Sequence, residues 1–455
     1  MNIKKGKQIA ALVSCAFFAL GSAFAQGADE ASTGSDFGDL FSSAGASAGS
    51  DALTIGGSLD LSVRSYLGSA ARSAVGNEDN DADAVEAPPE ARVNFDYKGA
   101  STECVVNFHV DPSTLSAYPE DLIDEAFVRA FLSDFTFEAG KMKVVWGKGD
   151  ELHVIDLFNA NDYTDFIFPE YADRRLGEVM FRGAWNDPNG KIRVEAIWTP
   201  VTTPDRLPGS GAWGSSDLET LTTLATALHV TLPDTDTLDY GQYGVRVTGT
   251  AGPVDLGLSY YLGHYKTPSA YVGYTGAIPS SLALAYDRLQ AFGAEAAFAA
   301  GPFNFRFEGA YYLTDDTDGT DASTHNNSLN WVAGFDADLP IHNVNLNLQT
   351  IGSYVLNNDG LVLNDVDYDS DGEYSNDKIV VKLSDSFCHD KIAPAVKALW
   401  GIEKGDVIVM PEVACNIRDD LSVTVSGALF LGSEDGEFGD YTDNDFARIL
   451  VSYKF

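Results

Sequence analysis

From Leu53 to Phe455 the chain alternates apolar and polar residues in short stretches that break at Gly, Pro, Asn or Asp. A period of two puts successive side chains on opposite faces, so each stretch predicts a β-strand with one apolar and one polar face. In "AGPVDLGLSYYLG", Val254, Leu256, Leu258, Tyr260 and Leu262 share a face, opposite Asp255, Gly257, Ser259 and Tyr261. In "AGPFNFRFEGAYYLT", Phe303, Phe305, Phe307, Gly309, Tyr311 and Leu313 oppose Asn304, Arg306, Glu308 and Tyr312. The pattern predicts strands at 53–67, 90–98, 101–110, 124–132, 135–145, 178–187, 190–199, 242–250, 253–264, 286–299, 302–314, 328–339, 343–355, 378–385, 391–401, 406–416, 421–431 and 446–455. That is about eighteen, an allowed even size for a closed barrel, with sixteen as the alternative count. The two weakest are 378–385, short for a span, and 135–145, where Lys141 interrupts the alternation.

A soluble β-sandwich also alternates. Three features favour a transmembrane antiparallel up-and-down β-barrel, an all-β fold. Many strands approach the nine to eleven residues that cross a bilayer at a tilt, about twice the length common in soluble sheets. Long polar loops all fall on one side, at 68–89, 111–123, 146–177, 200–241, 265–285, 315–327, 356–377 and 432–445, with 402–405 the one short connection there. Aromatics sit near strand ends, at Trp185, Trp198, Tyr260, Tyr311, Tyr354 and Trp400, as an interfacial girdle requires.

The N-terminus supports export. Lys4, Lys5 and Lys7 precede an apolar run from Ile9 to Leu20 and the small-x-small site Ala23-Phe24-Ala25, which predicts a signal peptide over 1–25. Cys15 lies inside the apolar run, an unfavourable place for lipidation. Residues 26–52 are rich in Gly, Ala, Ser and Asp without a strand period, and predict a flexible periplasmic leader ahead of a barrel over 53–455. Asp and Glu outnumber Lys and Arg by 67 to 29, a net charge of −38, which excludes nucleic-acid binding through the overall field. Cys104, Cys388 and Cys415 form neither a disulfide framework nor a zinc spacing.

The last strand, "RILVSYKF", resembles the C-terminal signature of Gram-negative outer-membrane barrels. The resemblance to the general porin-like class implies a place in the cell outer membrane, contact with its lipid, and recognition of this strand by the barrel-assembly machinery. A narrower likeness lies in "FEAGKMKVVWGKGDELHVIDLFNANDYTDF" and "YADRRLG", through Gly140-Lys141, Trp146-Gly147, Asp156, Asn159, Asp162 and Asp173-Arg174-Arg175. These residues resemble a motif of a poorly characterised family of outer-membrane porin-like proteins with no known substrate.

The cost of a charge facing lipid chooses the inward face. It puts Arg92, Arg129, Arg182, Arg193, Glu195, Arg246, Glu295, Arg306 and Glu308 in the lumen, with Arg193–Glu195 and Arg306–Glu308 as same-strand pairs. Such an interior suits a wet channel for small hydrophilic solutes or ions; charges that cross-link and close the lumen are the alternative, leaving the acidic loops as a structural or binding surface. Loop 146–177 carries Lys148, Asp150, Asp156, Asp162, Arg174 and Arg175, a candidate constriction by analogy with the third outer loop of general porins. In loop 200–241, Ser216 with Glu219 and the stripe Leu218, Leu221, Leu224, Leu228 predict a helix at the rim. "DVDYDSDG" opens like a calcium loop, with Asp367, Asp369, Asp371 and Glu373 as candidate ligands, although Lys378 stands where a Glu belongs. No other cofactor is implied. The seven histidines are scattered without a nucleophile and acid beside them, so the reading is not an enzyme; the oligomeric state is left open.

Overall fold

The computed structural model describes residues 52–68, 85–165, 171–209, 212–214, 216–432, 436 and 438–455. The expected signal peptide, and the leader up to its last residue, lie outside the described residues. The strands are β1 (Ala52–Tyr66), a two-residue β2 (Val85–Glu86), β3 (Pro89–Lys98), β4 (Thr102–Val110), β5 (Ile123–Leu132), β6 (Phe135–Met142), β7 (Glu178–Asn186), β8 (Ile192–Thr199), β9 (Gln242–Ala251), β10 (Val254–His264), β11 (Ser269–Thr275), β12 (Ile278–Ala285), β13 (Arg288–Ala300), β14 (Phe303–Leu313), β15 (Ser328–Asp338), β16 (Asn345–Val355), β17 (Ser375–Ser384), β18 (Ile392–Gly401), β19 (Val407–Arg418), β20 (Leu421–Leu431) and β21 (Phe446–Lys454). Apart from β2, β11 and β12, each strand pairs antiparallel with the next, and β21 returns to β1, closing a barrel of 18 strands.

Closure answers the pattern at the C-terminus. β1 pairs with β3 from Ala52↔Lys98 to Leu61↔Pro89, and with β21 from Ser58↔Lys454 to Tyr66↔Phe446. Phe455 extends the seam by exchanging two 3.0 Å backbone hydrogen bonds with Gly57. Gly57 is required there, because a Cβ would stand 2.2 Å from the Arg92 carbonyl oxygen. A ring leaves no row of unpaired N–H and C=O groups, each costly in hydrocarbon.

The two faces sort as the alternation requires. Leu258 is 67% exposed, and Leu61, Val128, Phe181, Val247, Val425 and Ile449 are exposed with it on the outer face. The inner face is polar at mid-height. Towards the long-loop end it carries Val332, Ile351, Val380, Leu399, Ile408 and Phe430, buried by loops that fold inward. Trp213 packs on Phe430 and Phe446 at 5.8 and 6.0 Å between ring centroids.

Both weak strands exist. β17 begins at Ser375, earlier than the alternation indicated, and reaches 10 residues. β6 ends at Met142, and Lys141 turns its ammonium to the carbonyl oxygens of Glu120 and Ile123 at 2.9 and 2.8 Å. Two expectations fail. Segment 265–285, read as a loop, folds into the hairpin β11–β12, whose alternation is hidden by Gly273, Gly276 and Pro279. The predicted helix forms as α2 (Ser216–Leu228), after α1 (Tyr171–Arg174). Its stripe packs on that hairpin rather than on the barrel rim: Leu221 is buried with Ala270, Val272 and Leu282.

Candidate functional site: an inward loop beside a water-contacting wall

Opposite charges face each other across successive strands. Glu103, Arg129, Glu138 and Arg182 are direct partners along β4, β5, β6 and β7. Arg129 bonds Glu138 at 2.6 Å and Glu103 at 2.8 Å; Arg182 reaches Glu138 at 3.0 Å and Glu195 at 2.5 Å. Arg193 adds 3.1 Å to Glu195, and Arg246 holds Glu295 at 2.6 Å. Cross-strand pairs of this kind contribute roughly 0.2–1 kcal/mol each. All nine residues assigned to the lumen by parity therefore face inward and pair there. The same-strand pair Arg193–Glu195 forms, but Arg306–Glu308 does not: Arg306 pairs with Asp336 on β15, and Glu308 is taken by the loop between β6 and β7.

That loop crosses the barrel. Glu308 accepts backbone N–H groups from Lys148, Gly149 and Val154 at 2.7, 2.6 and 3.0 Å, and contacts His153 Nδ1 at 2.8 Å. Gly147 sits at φ +127°, where a Cβ would lie 2.1 Å from Glu308 Oε1. Further along, Asn347 donates to the Asp150 carboxylate at 2.5 Å, Gln349 exchanges two bonds with the Asp150 backbone, and Lys397 on β18 holds Glu151 at 3.0 Å. The loop is thus anchored on the wall opposite its own strands. Burial disfavours a charged His153, but the Glu308 carboxylate outweighs it and raises the ring's pKa.

The motif residues are the pins of this loop. Asn159 ties its two ends, donating to the Met142 and Leu176 carbonyls at 3.0 and 2.8 Å and accepting from Val144 N at 2.9 Å. Trp146 Nε1 donates to Glu195 at 2.5 Å. Arg175 clasps Asp156 and Tyr171, and Arg174 lies over the rings of Tyr163 and Tyr171 at 5.6 and 5.4 Å. Asp162 takes Arg206 at 2.9 Å, and Asp173 takes Arg92. Of the six candidate constriction residues, Asp156, Arg174 and Arg175 therefore form a buried internal lock. Asp150 meets the far wall, Asp162 faces a neighbouring loop, and Lys148 Nζ approaches Asp255 at 3.8 Å.

Docking is one-sided. Many inward side chains of β13–β20 at and above mid-height are buried, among them Glu295, Glu308, Gln349, Lys397 and Ile408. Along β3–β5 none is: Glu90, Arg92, Asn94, Asp96, Glu103, Asn107, His109, Glu125 and Arg129 all keep contact with solvent. The Arg92 and Arg129 side chains are both 29% exposed although they face inward. Water reaches this wall, and the Asp173 end of the loop borders it through Arg92.

Parity had more to give. Arg64 faces inward and pairs with Asp165 and Glu86, and Lys382 and Lys397 are direct partners on β17 and β18; all three satisfy the alternation used for the other sites. Two of the four candidate calcium ligands have protein partners. Asp367 turns its carboxylate into the protein, to His325 Nδ1 at 2.8 Å and Asn326 N at 2.6 Å, while Asp371 pairs with Lys404. Lys378 lies in β17 with its ammonium on Asn376 at 2.9 Å. Among the described residues no cluster of three or more His, Cys, Asp or Glu side chains is arranged to hold a metal ion.

A family described as "Protein of unknown function (DUF1302)" matches residues 68–455. Among solved structures, a mutant of Rh. blastica porin is 12% identical, covering 89% of this chain and 100% of its own, with a TM-score of 0.41. Acinetobacter baumannii OccAB4 is 11% identical over 90% of this chain and 98% of its own, with a TM-score of 0.47. No curated protein matches.

Proposed function

The chain belongs to the DUF1302 family, and we propose that it is a porin-like channel of the outer membrane, passing small hydrophilic solutes or ions by passive diffusion. The observation that carries this reading is the asymmetry of the lumen: the inward loop docks on one wall, while the opposite wall, β3–β5, keeps a continuous set of charged and polar side chains in contact with water. An apolar outer belt on a closed ring supports residence in a bilayer. The passage wall carries Glu90, Asp96, Glu103 and Glu125 against Arg92, Arg129 and Lys98 on β3–β5, with Asp165 and Asp173 on the facing loop. That balance, with the acidic long loops, supports a mild cation preference.

Planar-bilayer recording tests the reading. The expected result is discrete open steps, and a reversal potential under a salt gradient with the sign of cation preference. Silence in bilayers would favour the second reading, a barrel closed by its loops, to which the filled apolar half of the lumen lends support.

A further inference from the structure

Arg288 opens β13 at the long-loop end and lies on the outer face, in series with Gln290, Phe292 and Ala294 and alternating with the buried Leu289, Ala291 and Gly293. Register gives its height. Tyr260, Phe292, Tyr311, Leu329 and Tyr354 stand in one row across β10, β13, β14, β15 and β16. A row so rich in aromatics marks the edge of the hydrocarbon. Arg288 lies beyond Phe292 and Gln290 on the same strand, about 10 Å above the row at the usual rise and tilt. On the outer-membrane reading the long-loop end lies at the outer leaflet, so this guanidinium stands among lipid headgroups.

The other basic side chains of that end are already engaged. Lys141, Lys143, Arg206 and Lys404 each hold a carboxylate. Arg288 is exposed and, among the described residues, holds none, Asp315 past the end of β14 included. Gln290 accepts a hydrogen bond from the Tyr260 hydroxyl at Oε1, at 2.8 Å, so its amide N–H groups remain as donors. A guanidinium fork meets phosphate oxygens with two parallel hydrogen bonds. Below the aromatic row, Leu258, Ala294, Gly309 and Trp331 are direct partners in sequence, and a Cβ on Gly309 would meet nothing within 4 Å. The two small residues leave a dip between a leucine and a tryptophan, on the strand that Arg288 begins and on its neighbour.

We propose that Arg288 and Gln290 bind the phosphate of an outer-leaflet lipid whose acyl chain lies in the dip at Ala294 and Gly309. The dip favours a lipid over free phosphate, which has no chain to place there. The inference rests on the outer-membrane reading and is independent of conduction.

The test is native mass spectrometry of the full chain in non-ionic detergent, titrated with lipid A, with dephosphorylated lipid A, and with inorganic phosphate as a competitor. Lipid A should bind saturably, and the dephosphorylated form about tenfold more weakly. Arg288→Gln should weaken lipid A about tenfold and Gly309→Leu about threefold, with barrel formation checked by heat resistance on gels. Lys191→Gln, which removes an exposed cation at the short-turn end, should change nothing. Unchanged affinity in Arg288→Gln or in Gly309→Leu overturns the inference, as does an equal loss in Lys191→Gln. So does equal binding of dephosphorylated lipid A, or displacement of lipid A by an equal concentration of phosphate. Lipid A binding by a barrel silent in bilayers would sink the channel reading alone; open steps without Arg288-dependent binding would sink this one alone.

Discussion

Glu295 and Glu308 stand directly opposite each other on β13 and β14, both facing into the barrel. Like charges in direct register destabilise a strand pair, and here each is resolved by a different partner. Arg246 takes Glu295 at 2.6 Å, and the inward loop takes Glu308 with three backbone N–H groups and His153. The wall thus presents one carboxylate that the barrel itself does not neutralise, and the loop docks there.

Replacing that carboxylate should undock the loop. Glu308→Ala strands several donors, each costing about 1–3 kcal/mol when buried unpaired. The expected outcome is a larger, noisier single-channel conductance and a lower unfolding temperature, with the barrel still formed. Glu308→Gln, which keeps an acceptor, should fall between wild type and alanine. Unchanged conductance in Glu308→Ala would show that the loop is held elsewhere.

The long loops should loosen at alkaline pH. His325 links three of them, through Asp367 at 2.8 Å, its backbone N–H to Asp287 at 2.8 Å, and the Tyr265 ring at 4.7 Å. Burial favours the neutral ring, but Asp367 prevails and pushes the His325 pKa up to about 9. A pKa raised on folding gives stability that is complete below the unfolded value near 6.5 and is lost as pH rises through about 9, on the order of 3 kcal/mol. Limited proteolysis of the loops should therefore accelerate between pH 7 and pH 10, and Asp367→Asn should remove most of that dependence. Loops equally resistant at both pH values would refute the link.

Charge tolerance should follow the two faces. Leu258→Arg places a guanidinium on the outer belt, at a cost of about 2–4 kcal/mol near the bilayer midplane. Asn94→Arg places it on the wet wall, within about 0.5 kcal/mol of wild type. Urea titration of the barrel refolded in lipid vesicles measures both. Equal costs would mean that the two faces are not lipid and water.

The seam should not tolerate a side chain. In Gly57→Val the new Cβ meets the Arg92 carbonyl and the Phe455 ring, at 2.2 and 2.7 Å in the present geometry. The expected result is a severe fall in heat-resistant barrel on gels, whereas Gly301→Asn, at a turn with φ +63° and open space, leaves the yield unchanged. A full yield of Gly57→Val would argue against the β1–β21 closure.

The wall of the barrel was legible because a period of two decides which way each side chain faces, and lipid forbids charge on one of those ways. That logic assigns Arg129, Glu195 and Arg246 to one face, where each finds an ion-pair partner, and the same rule assigns Lys397 there. Partner choice was not legible. Arg306 and Glu308 are neighbours on one face, yet Glu308 is engaged by residues some 155 positions away in sequence, and only the fold of the inward loop brings them together. The partners of Asp367 were hidden for a related reason: it sits in a calcium-loop spacing, but His325 and Asn326 from another loop take its carboxylate. The motif residues of 146–177 signalled that this loop is specified in detail, without saying against what it is specified.

The most direct measurement of the central claim is chemical access to the wall from within an open pore. Asn94 and Asn107 are direct partners on β3 and β4 and face the proposed passage, whereas Asn330 is buried on the packed side. Each is changed to cysteine in a background of Cys104→Ala, Cys388→Ala and Cys415→Ala, and a cationic methanethiosulfonate is added during single-channel recording. The account predicts stepwise loss of current in Asn94→Cys and Asn107→Cys, and none in Asn330→Cys. Inert Asn94→Cys and Asn107→Cys channels, or a block confined to Asn330→Cys, would contradict it.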